Sequence, residues 1–311
     1  MKLFLRAVAD GFGRGRSLLP VALYLYGAAL AFASVAAAPL SATVHEALDG
    51  QPGARRLIAD GGIEVIAELG RSSPALWPAT LAGVPPLLLV FLPLSVVLAG
   101  GAYGLASERP QRPWSRFWLA GAQRFRVFLV LSALGAVYAV ATGAVASGVI
   151  AAISAGSRAV EGRGAYWAAV SARAAVLLFA ALHARSVVGF ALACREAKPD
   201  EGLLPGFGRS LALCWRRLAA TLGIGAAFLL LQALSAVAGL ALARAAGEGG
   251  WVAASAAQAG WFGAAWLHAV EIRARIAYAA GAAPLPAVPR PAEGASPALP
   301  RADAEEVPCA P

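Results

Sequence analysis

Residues Leu177–Glu196 read LLFAALHARSVVGFALACRE. The run has the length and the oiliness of one membrane-crossing helix, since about 20 apolar residues span a hydrocarbon core of roughly 30 Å. It nevertheless holds His183 and Arg185. Such a run decides the fold class because it is not alone. Six comparable blocks recur, over about 18–40, 79–106, 127–154, 165–194, 218–243 and 251–270. Across 311 residues, 59% are hydrophobic and only 14% charged, with a mean hydropathy of +0.67, whereas soluble domains carry about 25% charged residues. The reading is an all-α, polytopic membrane protein: a transmembrane domain of six helices over residues 1–283, followed by a Pro-rich cytoplasmic tail over 284–311 that is expected to be disordered.

The 26 basic residues set the orientation. Placing the N-terminus in the cytoplasm puts nineteen of them inside and seven outside (Arg55, Arg56, Arg71, Arg158, Arg163, Arg173 and Arg244). That bias follows the positive-inside rule and predicts both termini in the cytoplasm of a bacterial inner membrane. Trp77, Trp167 and Trp251 fall at the outer boundary of the spans and Trp114, Trp118 and Trp215 at the inner one, where amphipathic rings prefer to sit. The first block resembles a cleavable signal, with basic residues before it and ASVAAAPLSA after it. Its apolar length and Pro39 argue for retention. The net charge of +9 is spread over loops between apolar spans, which gives no surface for nucleic acid. Cys194, Cys214 and Cys309 have no CxxC spacing and face the cytoplasmic side, so disulfides are not expected.

Before each odd-numbered span lies a segment mixing basic and apolar residues: MKLFLRAVADGFGRGRS, PWSRFWLAGAQRFR and LLPGFGRSLALCWRR. Their helical spacing predicts three amphipathic helices at the cytoplasmic interface, punctuated by Pro20, Pro110, Pro113, Pro199 and Pro205. The chain so divides into three units of interfacial helix plus hairpin. In the outer segment Ser41–Pro78, Glu64 and Glu68 lie one turn apart, and a solvated helix face accounts for them.

Arg185 demands a partner. Helical side chains lean toward their own N-terminus, and span four runs inward, so Arg185 leans away from its nearer surface. An unpaired charge in hydrocarbon costs at least about 3 kcal/mol. Counting from the outer tryptophans, Trp167 to Arg185 is eighteen residues and Trp251 to Glu271 is twenty; His183 and His268 lie at sixteen and seventeen. Parallel spans four and six therefore bring four residues to one depth. The expectation is a polar layer of His183, Arg185, His268 and Glu271, with an Arg185–Glu271 ion pair holding the two spans together. A structural role is favoured over a proton relay or an anion-binding point, because the layer lies close to the interface. Gln232 and Gln258 are in-span polar residues with no evident grouping.

Catalytic signatures are thin. Three histidines without HExxH, no cysteine cluster and no GxSxG give no expectation of a metal, a cofactor or a catalytic residue. Two stretches, LAGGAYGLASERPQRPWSRFWLAGAQRFRVFLVLSAL and ARSVVGFALACREAKPDEGLLPGFGRSLALCWRRLAATLG, resemble uncharacterised bacterial six-span membrane proteins. In these a glycine pair closes span two and an arginine ends span four. More distantly, the chain is similar to the membrane domain of glycerophosphodiester phosphodiesterases. His183 stands where that pattern leads us to expect tyrosine. The resemblance implies location and fold and carries no activity. The expected role is a non-catalytic component organising lipid, a membrane-protein partner or a second copy of itself within the bilayer; the alternative is a transporter or permease subunit for a small or amphipathic solute.

Overall fold

The computed structural model describes residues 2–48, 76–108, 113–157, 163–247 and 250–282. Among the described residues the regular structure is entirely helical. In chain order these are α1 (Lys2–Gly13), a 3-10 turn (Gly15–Leu18), α2 (Leu19–Leu48), α3 (Leu76–Ser107), α4 (Pro113–Ser157), α5 (Arg163–Ala197), α6 (Leu203–Arg216), α7 (Leu218–Ala245) and α8 (Trp251–Ala282). Glu64 and Glu68, and the tail from residue 284, lie outside the described residues.

Five helices, α2, α3, α4, α5 and α7, contain stretches long and apolar enough to cross a membrane, which marks a membrane protein. Large apolar side chains cover their outer surfaces: Leu89 is 76% exposed, Val140 73% and Leu230 61%. In water such a surface would drive aggregation; against lipid tails it is the ordinary exterior. Helix α8 has no such stretch, being interrupted by Gln258, His268, Glu271, Arg273 and Arg275. Its neighbours explain how it tolerates them. It packs against α1, α2, α3, α5 and α7, and most of the stretch Ala269–Ala279 is buried. The expected end of the last span at Val270 falls short of the helix end at Ala282, because charged residues end an apolar run without ending a helix.

Pro39 lies inside α2 and Pro85, Pro86 and Pro93 inside α3, while three other prolines sit where a missing N–H is harmless. Pro113 opens α4, Pro20 lies in the first turn of α2 and Pro205 in that of α6. The three basic-apolar segments differ in the structure. The first and third form the separate helices α1 and α6, the latter ended by a non-helical Arg217 (φ −124°, ψ 40°). The middle one runs without a break into α4, a helix of 45 residues and so about 67 Å long. No proline or glycine at the Arg126–Val127 junction interrupts it.

Helices in lipid gain no hydrophobic drive from meeting one another, so close packing and hydrogen bonds hold them. Two glycine contacts bring backbones together. A Cβ on Gly239 of α7 would lie 2.6 Å from the Gly260 Cα of α8, and Ser235 Oγ donates to the Gly260 carbonyl beside it at 2.9 Å. Between α3 and α4, a Cβ on Gly100 would lie 3.1 Å from the Gly121 Cα. The bundle is tightest at the end holding α1, α6 and the C-termini of α3, α5 and α8. There Phe117, Phe128, Phe190 and Tyr278 are buried. Toward the other end the helices are largely exposed, with Trp251 at 88% and Val137 at 69%.

Candidate functional site

The polar groups of the tight end organise around one carboxylate. Glu271 of α8 is 0% exposed and accepts from four donors on three helices. Oε1 receives Arg275 Nη2 at 2.5 Å. Oε2 receives Arg185 Nη2 of α5 at 2.6 Å, Gln232 Nε2 of α7 at 3.1 Å and His268 Nδ1 at 3.1 Å. Two guanidiniums on one carboxylate leave a single positive charge in excess. Backbone carbonyls spread that charge: Arg185 Nη1 donates to the Gly225 carbonyl at 3.3 Å and Arg275 Nη1 to the Arg185 carbonyl at 3.4 Å. The Arg275 guanidinium also lies 5.8 Å over the Phe190 ring, a cation–π contact suited to a dry site. Gly189 makes room for it, since a Cβ there would fall on the guanidinium.

Helical geometry explains which expected residues meet. His268, Glu271 and Arg275 are spaced i, i+3 and i+7, on one face of α8. Arg185 reaches them from α5. His183 does not, because it is two residues from Arg185 and so about 200° around the same helix. It faces α4 instead, where its Nε2 lies 2.9 Å from the Tyr138 hydroxyl. Its ring stacks on Phe179 at 5.8 Å and lies 4.6 Å from Trp215. His183 Nδ1 is buried with no hydrogen-bond partner among the described residues. The structure therefore gathers Arg185, His268 and Glu271 and sets His183 apart. It adds Arg275, which lies beyond the last apolar block, and Gln232, which has no grouping along the chain. The spacing of Glu271 to Arg275, one helical turn, was the available signal for the first.

Further ion pairs close the same end of the bundle. Arg124 of α4 grips Glu196 of α5 through Nε at 2.6 Å and Nη2 at 3.1 Å, and reaches Glu108 at 3.4 Å. Arg273 of α8 pairs with Asp10 of α1 at 2.6 Å and donates to the Ala106 carbonyl at 3.1 Å. Arg209 of α6 pairs with Glu201 at 2.6 Å. The 3-10 turn after α1 is fixed as well by Trp266 Nε1, which donates to the Gly15 carbonyl at 2.9 Å. On α6, burial pushes the Cys214 thiol up to about 12.

Two cavities lie beside this core. One, of about 490 Å³, lies between α2, α7 and α8 and reaches Gln232 and His268. Another, of about 600 Å³, lies between α4, α5 and α6 and ends at His183 and Trp215. Both are in the size range of small-molecule pockets, and both are mainly apolar. Among the described residues no cluster of His, Cys, Asp or Glu is suited to a metal ion. Comparison with models of protein families, with curated proteins and with solved structures finds no match to this chain.

Proposed function

We propose that this chain is a six-span, non-catalytic component of a bacterial cytoplasmic membrane that holds lipid. In this reading α2, α3, α4, α5, α7 and α8 cross the bilayer. Helices α1 and α6 and the first turns of α4 lie at the cytoplasmic surface, and both termini are cytoplasmic. The observation that carries the reading is the pairing of two apolar cavities with a polar core closed on itself. Glu271 is wholly buried and its oxygens are filled by the chain's own donors, so the core serves as a clamp. The cavities, walled by side chains such as Leu25, Leu30, Val145 and Val149, offer apolar surface to acyl chains. The same closure counts against the permease alternative, whose solute would need those donors free.

The test is purification in a mild detergent followed by native mass spectrometry. Retention of one or two lipid molecules per chain, lost when Ala29→Trp and Val145→Trp fill the cavities, is the expected result. A chain that emerges lipid-free at a detergent concentration leaving the fold intact would refute it.

A further inference from the structure

The cavity between α2, α7 and α8 carries a chemical preference, which rests on the lipid-holding reading above. One wall is Leu25, Ala29 and Ala33 of α2, and the other includes Trp261 and Ala265 of α8. Its polar groups are His268 and Gln232 at one end and Tyr26 and Gln258, bonded to each other, further along. The His268 Nδ1 proton and one amide hydrogen of Gln232 are already committed. A carboxylate offers only acceptors, so the 3.1 Å contact to Glu271 requires the His268 proton on Nδ1. Gln232 turns its amide nitrogen to the same carboxylate at 3.1 Å. In the neutral ring this leaves Nε2 as an acceptor, on a side chain that is 42% exposed and lines the cavity. Gln232 is left with Oε1 and its second amide hydrogen.

Three head-group chemistries can be compared against this end. An anionic phosphate brings only acceptors and meets an acceptor at His268 Nε2. A cationic ammonium approaches a core that already holds one positive charge in excess. A neutral hydroxyl brings a donor and no charge. We infer that this cavity is a binding site for a neutral, hydroxyl-bearing amphiphile, whose hydroxyl donates to His268 Nε2 and whose apolar chain runs between α2 and α8 toward Gln258. Depth agrees with that pose. His268 is seventeen residues from Trp251, about 25 Å along α8, which sets the hydroxyl near the inner leaflet's head-group level. From His268 to Gln258 is ten residues, so about 15 Å of helix lies alongside the chain.

The experiment uses the full chain in phosphatidylcholine vesicles carrying a photoactivatable diazirine probe, either diacylglycerol or phosphatidic acid with the same acyl chains. Diacylglycerol is expected to label peptides of α2 and α8, and excess unlabelled dodecanol to suppress the labelling. His268→Phe should lower it by about tenfold, the worth of one hydrogen bond. Ala29→Trp, which fills the cavity without touching the polar network, should abolish it. If phosphatidic acid labels this cavity as well as diacylglycerol does, or if both variants label normally, the hydroxyl assignment is overturned and lipid holding stands. If neither probe labels this cavity or the one ending at His183, both readings fall.

Discussion

Glu271→Gln is the most informative single change in this chain. The side chain keeps its shape and loses the negative charge that Arg185 and Arg275 share. Arg275 is then a guanidinium with a 5% exposed side chain and no counter-ion, and Arg185, 29% exposed, can reach water only in part. The amide also presents an N–H donor on one side, where donors already point. Removing one partner of a buried ion pair costs about 3–5 kcal/mol. For a chain of this size that corresponds to a fall in Tm on the order of 10 °C. Arg185→Met should cost less, because it leaves one carboxylate with one guanidinium and a core without net charge. The assay is thermal melting of both variants in detergent, followed by size-exclusion chromatography. If Glu271→Gln melts with the wild type, or Arg185→Met is the more damaging of the two, the charge argument for the core is wrong.

Other outcomes follow from packing and burial. Gly239→Leu must displace the Gly260 backbone 2.6 Å from its first side-chain atom, so it should destabilise the fold by about 1–3 kcal/mol or more. Gly143→Ala, with nothing within 4 Å, should be neutral or gain up to about 1 kcal/mol of helix propensity; melting curves separate the two. Cys194 and Cys214 are both buried, and the Cys214 thiol is held up to about 12. A maleimide at neutral pH should therefore leave both unmodified until the chain is denatured, as intact-mass measurement would show. A reporter fused after the last residue should be accessible from the cytoplasm only, and access from the outside would reverse the orientation proposed.

Much of this protein is legible in its sequence, since hydrophobic run length and the fixed rise of a helix are local quantities. Composition and block lengths are enough to mark a membrane protein and to place the helix-forming segments. Counting residues from Trp167 and Trp251 is enough to put Arg185 and Glu271 at one depth, because 1.5 Å per residue holds in any helix. Direction around the helix is equally local, and it separates His183 from Arg185. What surrounds each helix is not local. Hydropathy treats Arg273 and Arg275 as the end of a span, yet α8 continues past them, because its neighbours there are α1, α3, α5 and α7 and supply Asp10, carbonyls and an aromatic face in place of lipid. The same holds for Gln232, which has no grouping along the chain and gains one only when α7 approaches α8 at Gly239 and Gly260. Sequence determined which segments form helices and how deep their charges lie; only the tertiary structure decided which charges share a site, because a buried ion's partners come from helices that the chain brings together only on folding.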